Sequence, residues 1–281
     1  MLCTQKWANE TAFPRGSSCG SQLTIVAILC YHSVQSDWQS PLAVTPEAFA
    51  QHCAWLARHR RVVDLAEAVA RMDGRARLPR PLAALTFDDG FGGLYQHAFP
   101  MLHRYQLAAT VFLVAETLAP KGRAVDWVQP LPSQPLTTLD RSQVMEMQAA
   151  GIQFGSHSFA HKDLTTLDED ACLSDLKASR ELLEELLRKP VPFLAYPGGR
   201  HDAMVRRAAE RAGFTHAFSL PVAREPRSNY AVPRVGVWPG NGVMALRLKT
   251  SPWYLSLRTS GIFPLLRVAA PGKGEFGNLS R

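Results

Sequence analysis

The chain has 281 residues, 46% of them hydrophobic, which is enough for one large α/β domain or two small ones around a sizeable core and excludes general disorder. Its formal charge of +7 comes from 31 Lys and Arg against 24 Asp and Glu scattered along the chain, with no basic stripe interleaved with aromatics, so no nucleic-acid partner is expected. The five cysteines, Cys3, Cys19, Cys30, Cys53 and Cys172, are odd in number and contain no CxxC pair, which argues against a disulfide framework or zinc ribbon and for reduced, mostly buried thiols.

Residues 1–22 carry Pro14, Gly16, Ser17, Ser18, Gly20 and Ser21 without periodicity and predict a mobile leader. The apolar run Leu23–Tyr31 follows Lys6 and Arg15 as a secretory signal would, but Tyr31 and His32 stand where a small-residue cleavage site belongs. It reads as a core strand, and the chain is expected to be cytoplasmic. No apolar run approaches the roughly 20 residues that span a bilayer.

From there short runs rich in Val, Ile, Leu and Phe alternate with stretches of helical period. The predicted strands are Leu23–Tyr31, Arg61–Leu65, Leu82–Phe87, Ala108–Ala115, Ile152–Ser156, Pro192–Tyr196, Phe214–Leu220 and Ala231–Val237. Between them the predicted helices are Pro46–Arg58, Ala66–Met72, Leu94–Tyr105, Arg141–Ala149, Glu169–Arg188 and Ala203–Ala212, several closed by Gly or Pro, as at Gly151, Pro190 and Gly213. Such an alternation predicts an α/β fold, a distorted (β/α) barrel with about seven parallel strands over residues 23–240, whose chemistry gathers where strands end. The segment Glu116–Leu139, with four prolines and little apolar rhythm, predicts a long loop beside the barrel mouth.

Chemistry-bearing residues cluster at four strand ends. Tyr31-His32-Ser33 places an imidazole after the first strand, either a general acid or a merely polar histidine. In Thr86-Phe87-Asp88-Asp89-Gly90 two adjacent carboxylates follow an apolar strand. Like charges so close raise one pKa unless a cation absorbs them, so the acids divide between metal binding and proton handling, unless the motif is a solvated Asp-Asp-Gly turn. Ser156-His157-Ser158-Phe159-Ala160-His161 carries two imidazoles four residues apart, which reach one ion if the backbone between them makes a single turn and are otherwise surface histidines. Leu194-Ala195-Tyr196-Pro197-Gly198-Gly199 ends a strand in small residues, where an N–H can donate to an oxyanion or the chain simply turns toward a helix.

The ordered set TFDDG at 86–90, SHSFAH at 156–161 and AYPGG at 195–199 resembles the polysaccharide deacetylase family, also called the NodB-homology domain or carbohydrate esterase family 4, over roughly residues 23–240. The resemblance implies a divalent metal on Asp89, His157 and His161, zinc first among candidates with cobalt, nickel or iron as alternatives. It further implies Asp88 as catalytic base, the Gly198 N–H as oxyanion donor, and hydrolysis of N-acetyl groups on an acetylated glycan: an oligosaccharide, a polysaccharide or a lipid-linked glycan. Two departures stand out. The arginine usual before the proline of the third motif is replaced by Ala195, for which Arg234, or less naturally Arg200, can substitute in orienting Asp88. The late Leu-x-His segment is absent, since Leu246-Arg247-Leu248 has no histidine; in this the chain is similar to the circularly rearranged poly-N-acetylglucosamine deacetylase branch, which implies His32 as the acid.

After Val237 the pattern weakens to a short helix at Val243–Leu248 and a basic, aromatic-bearing extension over 241–281 with Arg247, Lys249, Trp253, Tyr254, Arg258 and Arg267, which either packs on the barrel or rests on a membrane surface or lipid-linked glycan. A Ser-His-Asp esterase is disfavoured because the serines near His157 sit in the metal motif. A glycan-binding protein impaired in turnover, or hydrolysis of a non-sugar amide on the same fold, are the rival readings.

Overall fold

The computed structural model describes residues 26–72, 80–118, 125–128, 136–226 and 228–260. The predicted leader, the start of the first predicted strand, much of the 116–139 loop and Arg267 lie outside these residues. In chain order the elements are β1 (Val26–Tyr31), β2 (Ser33–Val34), β3 (Ala43–Val44), α1 (Pro46–His59), β4 (Arg61–Val62), α2 (Leu65–Arg71), β5 (Leu82–Phe87), α3 (Phe99–Tyr105), β6 (Ala109–Leu113), α4 (Arg141–Ala149), β7 (Gln153–Ser156), α5 (Glu169–Leu187), β8 (Phe193–Ala195), α6 (Ala203–Arg211), β9 (His216–Ser219), β10 (Val232–Pro233), β11 (Val235–Gly236), α7 (Val243–Lys249) and α8 (Tyr254–Arg258).

Parallel pairing runs β10-β9-β8-β7-β6-β5-β1-β11, with β4 added beside the start of β5. The two ends of this path, β10 and β11, are neighbours in sequence, separated by Arg234 alone. One segment therefore serves both edges: Val232 and Pro233 pair with Phe218 and Ser219, and after Arg234 the chain pairs Val235 and Gly236 with Leu29 and Cys30. The single strand predicted at Ala231–Val237 is thus two, and the sheet nearly closes as a barrel with Arg234 at its seam.

Strand alternation separates two apolar layers. Leu29, Ala83, Leu85, Phe87, Val111, Phe154 and Leu194 belong to the large core shared with α1, α3, α4, α5 and α6. Ile28, Leu82, Ala84, Phe112, Phe193, Ala195, Phe218 and Val232 form a second cluster, the barrel interior, with Leu65 and Ala68 of α2 in the same cluster. Continuing the inward period by two carries β1 to Cys30 and His32, β5 to Thr86 and Asp88, β7 to His157, and β10 to Arg234. The polar residues at the mouth are the next inward positions above the apolar plug.

Helix ends follow local chemistry. Thr45, Asp64, Asp140, Asp168 and Asp202 each cap a helix by accepting from a backbone N–H, and Asp140 with Gln143 completes a capping box. Asp64 also explains why the predicted strand Arg61–Leu65 is shorter: its last residues are already the start of α2. The helix predicted at Leu94–Tyr105 begins as a wide helical turn at Leu94–Ala98 and becomes α-helical at Phe99, next to Pro100, whose missing N–H cannot continue the ladder. Beyond the predicted Val243 helix, the Trp253 region adds α8, with Tyr254 buried and Trp253 half-exposed. No helix among the described residues is long and apolar enough to cross a membrane.

Candidate active site

Asp88 and Asp89 sit at the mouth end of β5, both 2% exposed. The Asp88 N–H donates to the Tyr31 carbonyl at 2.9 Å, one last rung of the β1–β5 ladder. Asp89 then adopts φ +67°, a left-handed conformation that Asp tolerates better than most side chains, and this reversal turns its carboxylate away from that of Asp88. Adjacent acids are thereby given different partners.

Those of Asp88 are Arg234 and Cys30. Arg234 Nη1 donates to Oδ1 at 2.6 Å and Nη2 to Oδ2 at 2.7 Å, a bidentate pair between two fully desolvated side chains. The guanidinium also donates to Thr86 Oγ1 at 3.1 Å and lies over the Phe112 ring at 5.3 Å, so both its plane and its edge are fixed. The Cys30 thiol donates to Oδ2 at 3.3 Å. Burial pushes the Asp88 carboxyl up, but the charge of Arg234 foremost, with His157 and His32 adding to it, overcomes burial and holds it well below the usual carboxylate range. Burial and the neighbouring Asp88 keep the Cys30 thiol protonated. Arg200, the weaker candidate for this task, instead pairs with Asp163 at 2.7 Å on the surface.

Asp89, His157 and His161 converge beside the Asp88–Arg234 pair, their ligand atoms all within 4.8 Å of one another, and His157 Nε2 also lies 4.0 Å from Asp88 Oδ2. His161 Nε2 lies 3.1 Å and His157 Nε2 3.7 Å from Asp89 Oδ1. His157 Nδ1 donates to the Ala195 carbonyl at 2.8 Å, which leaves the Nε2 lone pair facing Asp89. Burial, the largest influence, pushes this imidazole down to about 4, so it is neutral at pH 7 and able to ligate. The backbone between the histidines makes a tight turn rather than a helix, with positive φ at Ser158 and His161. The motif's serines hold that turn: Ser156 Oγ accepts from the Ser158 N–H at 3.2 Å and Ser158 Oγ from the His161 N–H at 3.0 Å, while Asp175 of α5 accepts from the Phe159 N–H at 2.8 Å. One carboxylate and two imidazoles converging on one point are a donor set that fits a divalent cation of the zinc class.

His32 lies at the same mouth, its ring stacked on Trp238 at 5.4 Å and 25°. It groups with Cys30 and Asp88 within 4.8 Å, a second cluster of ligand-type atoms. Both Asp88 oxygens are already bound by the buried Arg234, so a cation there would share its carboxylate with a guanidinium. Gly198, φ +61°, occupies a tight turn at the end of β8 and is exposed, and a Cβ there would meet nothing nearer than Arg200 Cγ at 3.9 Å. Its backbone is open to a ligand.

Three neighbours were not singled out by the sequence. Trp127, inside the proline-rich loop, donates its indole N–H to Asp89 Oδ1 at 3.1 Å and stacks on His161 at 5.0 Å and 27°. Cys30 reads as an ordinary apolar strand residue, and Trp238 as part of a loop. Period-two alternation from His32 puts Cys30 on the inward face; nothing in the spacing marks the two tryptophans.

A sequence model described as Polysaccharide deacetylase matches residues 75–217, about half of the chain. The chain belongs to the polysaccharide deacetylase family. This family member is 27% identical over 216 residues to YxkH of Bacillus subtilis, covering 76% of this chain and 71% of that protein. It is 24% identical over 207 residues to a poly-β-1,6-N-acetyl-D-glucosamine N-deacetylase of Staphylococcus epidermidis, covering 69% and 67% respectively. Among solved structures it is similar to IcaB from Ammonifex degensii, with TM-score 0.66 and 25% identity over 80% of this chain and 97% of that one. It shares its fold with the Streptococcus pyogenes deacetylase PplD, TM-score 0.69 and 21% identity over 81% and 98%.

Proposed function

We propose that this family member is a metal-dependent hydrolase that removes N-acetyl groups from N-acetylhexosamine units of a glycan, with poly-β-1,6-linked N-acetylglucosamine the first substrate to test. The single observation carrying this reading is the division of labour between adjacent acids: Asp88 locked to Arg234, Asp89 facing two imidazoles. The named activity of the staphylococcal relative supports the choice of substrate.

In this reading Asp89, His157 and His161 hold a divalent cation, zinc first and cobalt, nickel or iron as alternatives, which when bound supplies Lewis-acid polarisation of the acetyl carbonyl. Asp88, kept ionised by Arg234, takes a proton from the attacking water as its oxygen bonds to the acetyl carbon. Arg234 fixes the carboxylate plane and blocks its rotation, so the base meets the water in one orientation. The exposed Gly198 N–H donates to the tetrahedral oxyanion. His32 delivers a proton to the sugar nitrogen as the C–N bond breaks, yielding acetate and the free amine.

The test is acetate release from oligomers of β-1,6-linked N-acetylglucosamine, with chitin-type and lipid-linked glycans as comparison, after loading with zinc, cobalt or nickel. Asp88→Asn is expected to lower kcat by about 10²- to 10⁴-fold while metal content is retained. Metal occupancy with no acetate released from any acetylated glycan would replace this reading by the glycan-binding one.

A further inference from the structure

The His32 ring is poorly held by hydrogen bonds: its Nδ1 is buried and has no hydrogen-bond partner among the described residues. Its plane is set instead by stacking on Trp238. What fixes Trp238 therefore fixes His32.

Trp238 begins a turn that follows β11. The Trp238 N–H donates to Asn241 Oδ1 at 3.0 Å and the Asn241 N–H returns to the Trp238 carbonyl at 3.1 Å, so Asn241 closes the turn with side chain and backbone together. Gly236 leaves the space into which the indole folds, since a Cβ there would lie 2.4 Å from the Trp238 ring. From outside the barrel, the fully buried side chain of His52 on α1 reaches this turn, its Nε2 2.7 Å from the Asn241 carbonyl. A carbonyl can only accept, so Nε2 carries the proton and Nδ1 is left to accept from the Tyr31 hydroxyl at 3.1 Å. Tyr31 is the residue before His32. One imidazole thus ties together the strand residue adjoining His32 and the turn that carries its stacking partner.

We propose that His52 is a positioning residue for the proton donor, setting the His32 ring through Asn241 and Trp238. The inference rests on the assignment of His32 as the acid under the proposed function. A buried histidine with both nitrogens bonded has an ordinary structural use, which is why the decisive measurement is coupling rather than loss of activity.

The experiment uses the full chain loaded with zinc. His52→Leu removes both bonds at similar volume and is expected to lower kcat by about 10- to 100-fold with KM within about twofold, as a displaced catalytic group does. His52→Gln, which can still donate to the Asn241 carbonyl, is expected to recover most of that loss. In a Trp238→Ala background His52→Leu is expected to cost less than about twofold more, because the element through which it acts is already gone. Asn241→Ala opens the same turn without touching the core, and gives the same kcat loss if the leucine variant does not fold. Acrylamide quenching reads the positioning without turnover: His52→Leu or Asn241→Ala raises tryptophan accessibility, and the increase disappears in the Trp238→Ala background. Undiminished kcat in both variants, or a His52→Leu loss that stays full-sized without Trp238, overturns the inference while leaving the deacetylase reading intact. A wild-type protein inactive on every glycan overturns the deacetylase reading, and the quenching comparison still decides whether His52 holds Trp238.

Discussion

Replacing Arg234 by methionine keeps the length and apolar contact of the side chain over Phe112 but removes the guanidinium from Asp88. The pair is bidentate at 2.6 and 2.7 Å, and the two side chains are 0% and 2% exposed, so water cannot substitute for either partner. Breaking one side of such a pair strands a desolvated carboxylate and is expected to destabilise the protein by about 3–5 kcal/mol at pH 7. For a chain of this size, with about 2.1 cal/mol/K of unfolding entropy per residue, that is a fall in Tm of roughly 5–10 °C. The pH dependence has a definite sign. In the wild type the folded pKa of Asp88 lies below its unfolded value, so the group adds stability above about pH 4 that is lost as pH falls through the folded pKa. Without Arg234, burial dominates and lifts the folded pKa above the unfolded one, so the deficit is present at neutral pH and shrinks as pH is lowered toward 4. The assay is urea unfolding of both proteins from pH 7 to pH 4, with the pH profile of kcat/KM alongside; its acid limb is expected to move up. Adding Asp88→Asn to the methionine variant removes the stranded charge and is expected to restore much of the stability. A methionine variant within 0.5 kcal/mol of wild type at pH 7, or a deficit that grows in acid, would refute the reasoning.

Trp127→Phe retains a ring over His161 but removes the donor to Asp89 Oδ1, and is expected to weaken metal binding by about 10- to 100-fold in a chelator competition; unchanged affinity would mean the bond does not orient the carboxylate. In metal-free protein, burial holds His157 down to about 4 and lowers His52 as well, so both imidazoles bind protons more readily in the unfolded chain, whose value is about 6.5. Stability is therefore full above about pH 6.5 and falls as pH drops toward 4, with His157 alone contributing about 3 kcal/mol; denaturant midpoints in chelator that stay flat over that window would contradict this.

Much of the site was legible because its residues follow apolar strands directly. An inward-facing strand continues inward by two, so the Leu82–Phe87 run already aims Asp88 at the barrel axis, as Ile152–Ser156 aims His157. The two flanking tryptophans were not legible, because the loops that carry them have no period and their contacts depend on how the chain returns to the mouth. Cys30 was legible in principle, two residues before His32 on the same strand, but a small apolar residue in a core run announces packing and not a bond to a carboxylate.

The sequence alone determined most of the strands and helices and, along each strand, which side chains share a face, because strand and helix periods are local properties of the backbone. Tertiary structure alone decided that the 231–237 segment is shared between the two sheet edges, which puts Arg234 at the seam and within reach of Asp88, 146 residues away in the chain. It also chose Arg234 over Arg200 for that task, since which cation meets a buried carboxylate depends on where the sheet closes. Closure is a sum of twist and stagger over all the strands, a quantity no single segment carries.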